Sequence, residues 1–134
     1  MFVLALTSNP EGPEVQHAAA GGRSVAASVV AGAASDNSDA CARGELGHVG
    51  LVVGATVGDA VARLGLDLVG SAAPLLAPGL GAQGAGPGDL RSVFGDAARN
   101  VLPNVSRSVL AAGPSVPALV AAASREAEAV RRAV

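Results

Sequence analysis

Leu76-Ala77-Pro78-Gly79-Leu80-Gly81-Ala82-Gln83-Gly84-Ala85-Gly86-Pro87-Gly88 joins an apolar run to the most glycine-dense stretch of the chain. A short apolar run that ends in turn residues predicts a buried strand followed by a loop. Gly79 to Gly84 satisfies G-x-G-x-x-G and follows a strand, as a dinucleotide fingerprint does. That fingerprint needs its third glycine at a helix start, whereas Gly86-Pro87-Gly88 breaks a helix at once. A flexible glycine linker is the plainest alternative. A third reading is a phosphate-binding loop at the C-terminal end of a barrel strand, where glycines let backbone N–H groups approach an anion. Gln83 offers such a site an amide donor, and Arg107 a planar guanidinium fork from the next loop. Each also has a bland role, Gln83 as a spectator loop residue and Arg107 as a solvated helix-start arginine.

On either side, apolar runs alternate with Ala-rich segments. Phe2 to Thr7 predicts the first strand, ended by Ser8-Asn9-Pro10-Glu11-Gly12-Pro13. Ser24 predicts an N-cap for a helix over about Val25 to Ala34. Asp36-Asn37-Ser38-Asp39 is expected to dissolve that helix into a polar, mobile stretch reaching Gly47. His48 to Val53 is the second strand, followed by a helix over about Gly58 to Leu64. Pro74 to Ala77 is the third strand, and Asp89 opens a short helix toward Phe94. Asn100 to Val105 is a fourth strand, interrupted by Pro103. A helical turn from Ser106 to Ala112 precedes a terminal helix that starts at Pro114 or Pro117 and runs to about Arg132. This alternation predicts an α/β fold with parallel strands and outer helices. About four β/α units make half of a TIM (β/α)8 barrel. A complete barrel takes about 250 residues, and this chain has 134. Residues 1–134 then form one partial-barrel unit whose outer strands are unpaired edges. Such a unit needs a partner, either the other half-barrel or a copy of itself.

Composition excludes several classes. The net charge of −2 lacks the basic footprint of a nucleic-acid binder. All nine basic residues are Arg, so these residues hold no P-loop lysine, Schiff-base lysine or lysine general acid. Codon usage in a GC-rich genome explains that bias without function. Cys41 is alone and His17 lies far from His48, so no disulfide framework and no metal site is expected. Met1 to Leu6 is apolar without a basic lead, which suits a strand better than a signal peptide. No stretch approaches the roughly 18 apolar residues of a membrane span. A cytoplasmic location without membrane contact is expected.

Three segments carry a more specific likeness. Phe2-Val-Leu-Ala-Leu-Thr-Ser-Asn-Pro-Glu-Gly12, Gly50-Leu-Val-Val-Gly-Ala-Thr56 and Leu76-Ala-Pro-Gly-Leu-Gly-Ala-Gln-Gly84 resemble, in order, the fifth, sixth and seventh strand ends of orotidine 5′-phosphate decarboxylase. Gly22-Arg-Ser-Val-Ala26 and Val105-Ser-Arg-Ser-Val-Leu-Ala-Ala-Gly-Pro114 resemble the longer form common in actinobacteria. The resemblance implies the C-terminal half of that barrel, with orotidine 5′-monophosphate or UMP as ligand and neither cofactor nor metal. It implies that Gln83 and Arg107 hold the 5′-phosphate, that Ser8 hydrogen-bonds the pyrimidine edge, and that Pro78 lies beside the base. Without the resemblance, Ser8 reads as a turn-forming hydroxyl before Asn9-Pro10. The family's Asp and Lys array, with its Asp-x-Lys-x-x-Asp strand, is absent here, so no catalytic residue is expected among these residues. The chain is therefore expected to be an incomplete piece, inactive without the missing N-terminal half-barrel. A non-catalytic nucleotide-binding half-barrel and an inert remnant are the alternatives.

Overall fold

The structure is a computed structural model that describes residues 1–81 and 84–133. Four strands, β1 (Phe2–Leu6), β4 (Gly50–Val53), β5 (Leu75–Pro78) and β6 (Val101–Asn104), form a parallel sheet in that order. These are the four expected strands, three of them shortened by one or two residues and the one at Leu75–Pro78 shifted by one. The helix α2 (Val25–Asp36) returns the chain from β1 to β4, and α5 (Asp89–Phe94) with a 3₁₀ turn over Gly95–Asn100 leads to β6. Ser24 caps α2 as expected, its hydroxyl accepting from Ala27 N–H at 3.1 Å. The shorter α4 (Ala60–Arg63) follows β4, and α6 (Arg107–Leu110) and α7 (Val116–Arg131) follow β6. Along α7 and at its C-cap, Glu128, Arg131 and Arg132 are exposed, while Glu126 is half-covered.

Strand periodicity sorts the side chains onto two faces. Val3, Leu51, Leu75 and Val101 stand side by side in the ladder. They join the core formed with Val30, Ala33, Leu90 and Phe94. One residue along, Leu4, Val52, Leu76 and Leu102 form an equally continuous row on the opposite face. No described element covers that second row, and Leu4 and Leu102 remain 58% and 49% exposed. A parallel sheet is normally covered on both faces. The inner face of a barrel lies open here.

Two segments differ from expectation. The stretch from Asp36 to Gly47 is not a mobile polar loop. It continues as α3 (Ser38–Ala42), and Asn37 between the helices is 1% exposed. Its Nδ2 donates to Val49 O at 2.8 Å and to Ser71 O at 3.1 Å, while its Oδ1 accepts from Val49 N–H at 3.0 Å. The polar side chain thus ties together the segments that enter β4 and β5. A Cβ on Gly47 would lie 2.0 Å from Asn37 Oδ1, so only glycine fits beside that knot. The second difference is an antiparallel pair, β2 (Ala19–Ala20) with β3 (Arg23–Ser24), closed by Gly21-Gly22. Both glycines have positive φ, the conformation a two-residue hairpin turn requires. A further short helix, α1 (Gly12–Gln16), precedes that hairpin.

Asn37→Ala leaves a buried N–H and two buried carbonyls unpaired, so stability should fall by about 2–4 kcal/mol in denaturant unfolding. Wild-type stability in that variant would refute the knot. The uncovered row predicts that the 134 residues alone self-associate at micromolar concentration, and that Leu4→Gln with Leu102→Gln reduces this in light scattering. A monodisperse wild-type monomer would contradict it.

Candidate functional site

Because all four strands are parallel, their C-terminal ends lie along one edge of the sheet. Two backbone hydrogen bonds just beyond the strands hold the loops there in place. Gly54 N–H donates to Leu6 O at 2.9 Å, and Ala55 N–H donates to Pro78 O at 2.8 Å. The loop after β4 is thereby fastened to β1 on one side and β5 on the other.

Ser8 sits exposed in the loop after β1, and its Oγ lies 2.6 Å from Thr56 Oγ1 in the loop after β4. The backbone beneath Ser8 is ordered by its neighbours. Thr7 N–H donates to Gln16 Oε1 at 2.9 Å, and Gln16 Nε2 donates back to Thr7 Oγ1 at 2.7 Å. Asn9 Nδ2 donates to Glu11 Oε2 at 3.1 Å, and this bond holds the Glu11 carboxyl below the usual carboxylate range. A Cβ on Gly12 would meet Asn9 Oδ1 at 3.1 Å and Thr7 O at 3.2 Å, so the turn closes tightly there.

Pro78 is the last residue of β5, half-buried and in register with Asn104 of β6. Beyond it the glycine loop is closed by its own backbone. Gly81 N–H donates to Ala85 O at 2.8 Å, and Gly84 N–H to Gly81 O at 2.9 Å. The dinucleotide-fingerprint reading of the loop does not hold, since no helix starts at Gly84 and α5 begins only at Asp89. Gln83 lies outside the described residues. Arg107 is the first residue of α6, exposed, with no salt bridge or side-chain hydrogen bond among the described residues.

Ser8, Pro78 and Arg107 therefore share one edge, in the loops or strand ends of β1, β5 and β6. Two residues there were not singled out from sequence. Thr56 closes the Gly50 to Thr56 motif, and only its pairing with Ser8 marks it. Ser108 follows Arg107. Its Oγ is buried without a hydrogen-bond partner among the described residues, 3.2 Å from where a Cβ on Gly81 would stand. The glycine loop and the start of α6 thus touch. A cleft of about 330 Å³ opens beside Thr56, lined also by Gly58, Gly84, Asp89 and Ser92. Among the described residues no group of three or more His, Cys, Asp or Glu side chains is placed to hold a metal ion. No described helix is long and apolar enough to cross a membrane.

Known proteins of this kind match along the whole chain. It is 58% identical to orotidine 5′-phosphate decarboxylase of Streptomyces coelicolor over all of its length and 46% of that protein's. It is 59% identical to the Salinispora arenicola enzyme of the same name, covering 93% of this chain and 43% of the other. A Streptomyces avermitilis crystal structure assigned as this decarboxylase superposes with a TM-score of 0.86 at 56% identity, over 99% of this chain and 45% of that one. UMP synthase of Leishmania donovani superposes with a TM-score of 0.64 at 30% identity, over 97% of this chain and 27% of that one. The chain thus spans about half the length of the curated relatives it matches. Its four strands and outer helices are half of their TIM barrel. Residues 1–122 match the model of the orotidine 5′-phosphate decarboxylase / HUMPS family, and the chain belongs to that family.

Proposed function

We propose that these residues supply the phosphate- and base-holding half of an orotidine 5′-phosphate decarboxylase, which converts orotidine 5′-monophosphate to UMP and carbon dioxide. The observation that carries this reading is the common edge of Ser8, Pro78, the glycine loop and Arg107, in a chain more than half identical to decarboxylases so named. In the proposed complex, Arg107 and Gln83 grip the 5′-phosphate, Ser8 meets the pyrimidine edge, and Pro78 lies against the base. Arg107 has no partner among the described residues, so its guanidinium is free for a doubly hydrogen-bonded anion.

The decarboxylation step needs groups that these residues do not contain. In the family's chemistry the 6-carboxylate leaves as carbon dioxide and a lysine protonates the carbanion at C6. No Lys occurs in the 134 residues. The proposed partner is a first set of four β/α units, which brings the Asp and Lys array and covers the row of Leu4, Val52, Leu76 and Leu102. The phosphate is remote from the reacting carbon. Gripping it still accelerates the reaction when that binding energy is realised in the transition state.

The 134 residues alone should show no decarboxylase activity when purified free of host enzyme. Turnover by that material would overturn the division of labour. In a barrel completed by co-expression with the first half of the Streptomyces coelicolor relative, activity should appear. There Arg107→Ala should lower kcat/KM by about tenfold to a hundredfold, the loss of one charge-assisted phosphate contact, without changing the melting temperature. An unchanged kcat/KM would remove Arg107 from the phosphate site. A non-catalytic nucleotide-binding module is distinguished by UMP titration together with absence of turnover in the completed barrel.

A further inference from the structure

Thr56 meets one of the residues assigned above, Ser8, and that contact is short. Its Oγ1 lies 2.6 Å from Ser8 Oγ, across 48 positions of sequence. Each hydroxyl has one proton and two lone pairs, so in a pair one must donate and the other accept. The two residues are unequal partners. Ser8 is exposed on a loop and its hydroxyl has three staggered positions, whereas Thr56 is half-buried and β-branched, which restricts its χ1. Thr56 also sits in the segment clamped by Gly54 N–H to Leu6 O and Ala55 N–H to Pro78 O. Thr56 Oγ1 is thereby held in place beside Ser8 Oγ.

We infer that Thr56 is a positioning residue that sets the hydrogen-bond polarity of Ser8, and so makes the site select a uracil-type over a cytosine-type base. This deepens the proposed function and rests on it, since Ser8 must face the base. With its proton donated to Thr56, Ser8 turns lone pairs toward the ligand. A uracil ring presents N3–H, which those lone pairs accept. A cytosine ring presents a bare N3, which sets lone pair against lone pair and leaves both unpaired. Removing the Thr56 hydroxyl frees the Ser8 proton to turn outward and donate to that nitrogen. Selectivity then falls, although Ser8 itself is intact.

The test is isothermal titration of UMP and CMP into the barrel completed with the Streptomyces coelicolor first half. Wild type should prefer UMP. T56V, which keeps the shape but lacks the hydroxyl, should lose about tenfold of that preference, the value of one hydrogen bond. T56S should retain it, and S8A should lose it. A purely structural role for Thr56 would weaken both nucleotides in proportion and leave their ratio unchanged, and that result overturns the inference. T56S behaving like T56V also overturns it. If T56V fails to assemble, T56A gives the same ratio and is judged in the same way. Loss of preference in S8A but not in T56V or T56A sinks only the role of Thr56. A wild type that binds neither nucleotide, or an S8A that keeps full preference, sinks the proposed site and this inference together.

Discussion

The parallel ladder β1-β4-β5-β6 is the constraint from which the other features follow. Parallel pairing with return helices sends every strand the same way, so four separate loops open on one edge. A hydroxyl in residue 8 then meets one in residue 56, and Gly81 rests against Ser108. Neither pair is near in sequence. The bonds from Gly54 to Leu6 and from Ala55 to Pro78 extend the ladder slightly past the regular strands. They turn an approximate alignment of loops into a fixed one. A residue lost from one strand would shift its register and move its loop contribution out of reach.

The same ladder leaves one side unfinished. Leucines on β1, β5 and β6 and a valine on β4 make an apolar strip on the side away from the helices. Burial of such a strip contributes roughly 25 cal/mol per Å². Ala makes up 10 of the 23 residues in the buried core cluster, and Phe94 is its one aromatic. Small side chains bury little area each, so more of the folding free energy must come from covering the other side. Leu110, Val116 and Val120 on the last two helices are also well exposed.

Much of this was legible in sequence, for a physical reason. Strands such as Phe2–Leu6 and Gly50–Val53 are short apolar runs bounded by turn residues, and that contrast is local. The cap at Ser24 and the start at Asp89 are also local signals. Asn37 was misread because its polarity suggested solvent, while its partners at Val49 and Ser71 lie far along the chain. The hairpin at Gly21-Gly22 was overlooked because its strands are alanine and arginine-serine pairs with no apolar alternation. At the candidate site, the glycine loop and Arg107 carried recognisable chemistry. Thr56 and Ser108 did not, since a lone hydroxyl acquires meaning only from what it faces.

The Asn37 knot lies where the chain enters β4 and β5, at the opposite end of the strands from Ser8, Thr56 and Arg107. Conformational upkeep and the candidate site are therefore housed at opposite poles. A lineage or an engineer can strengthen the end that holds Asn37 without tightening the loops of the candidate site. The usual conflict between rigidity and turnover is softened by distance alone.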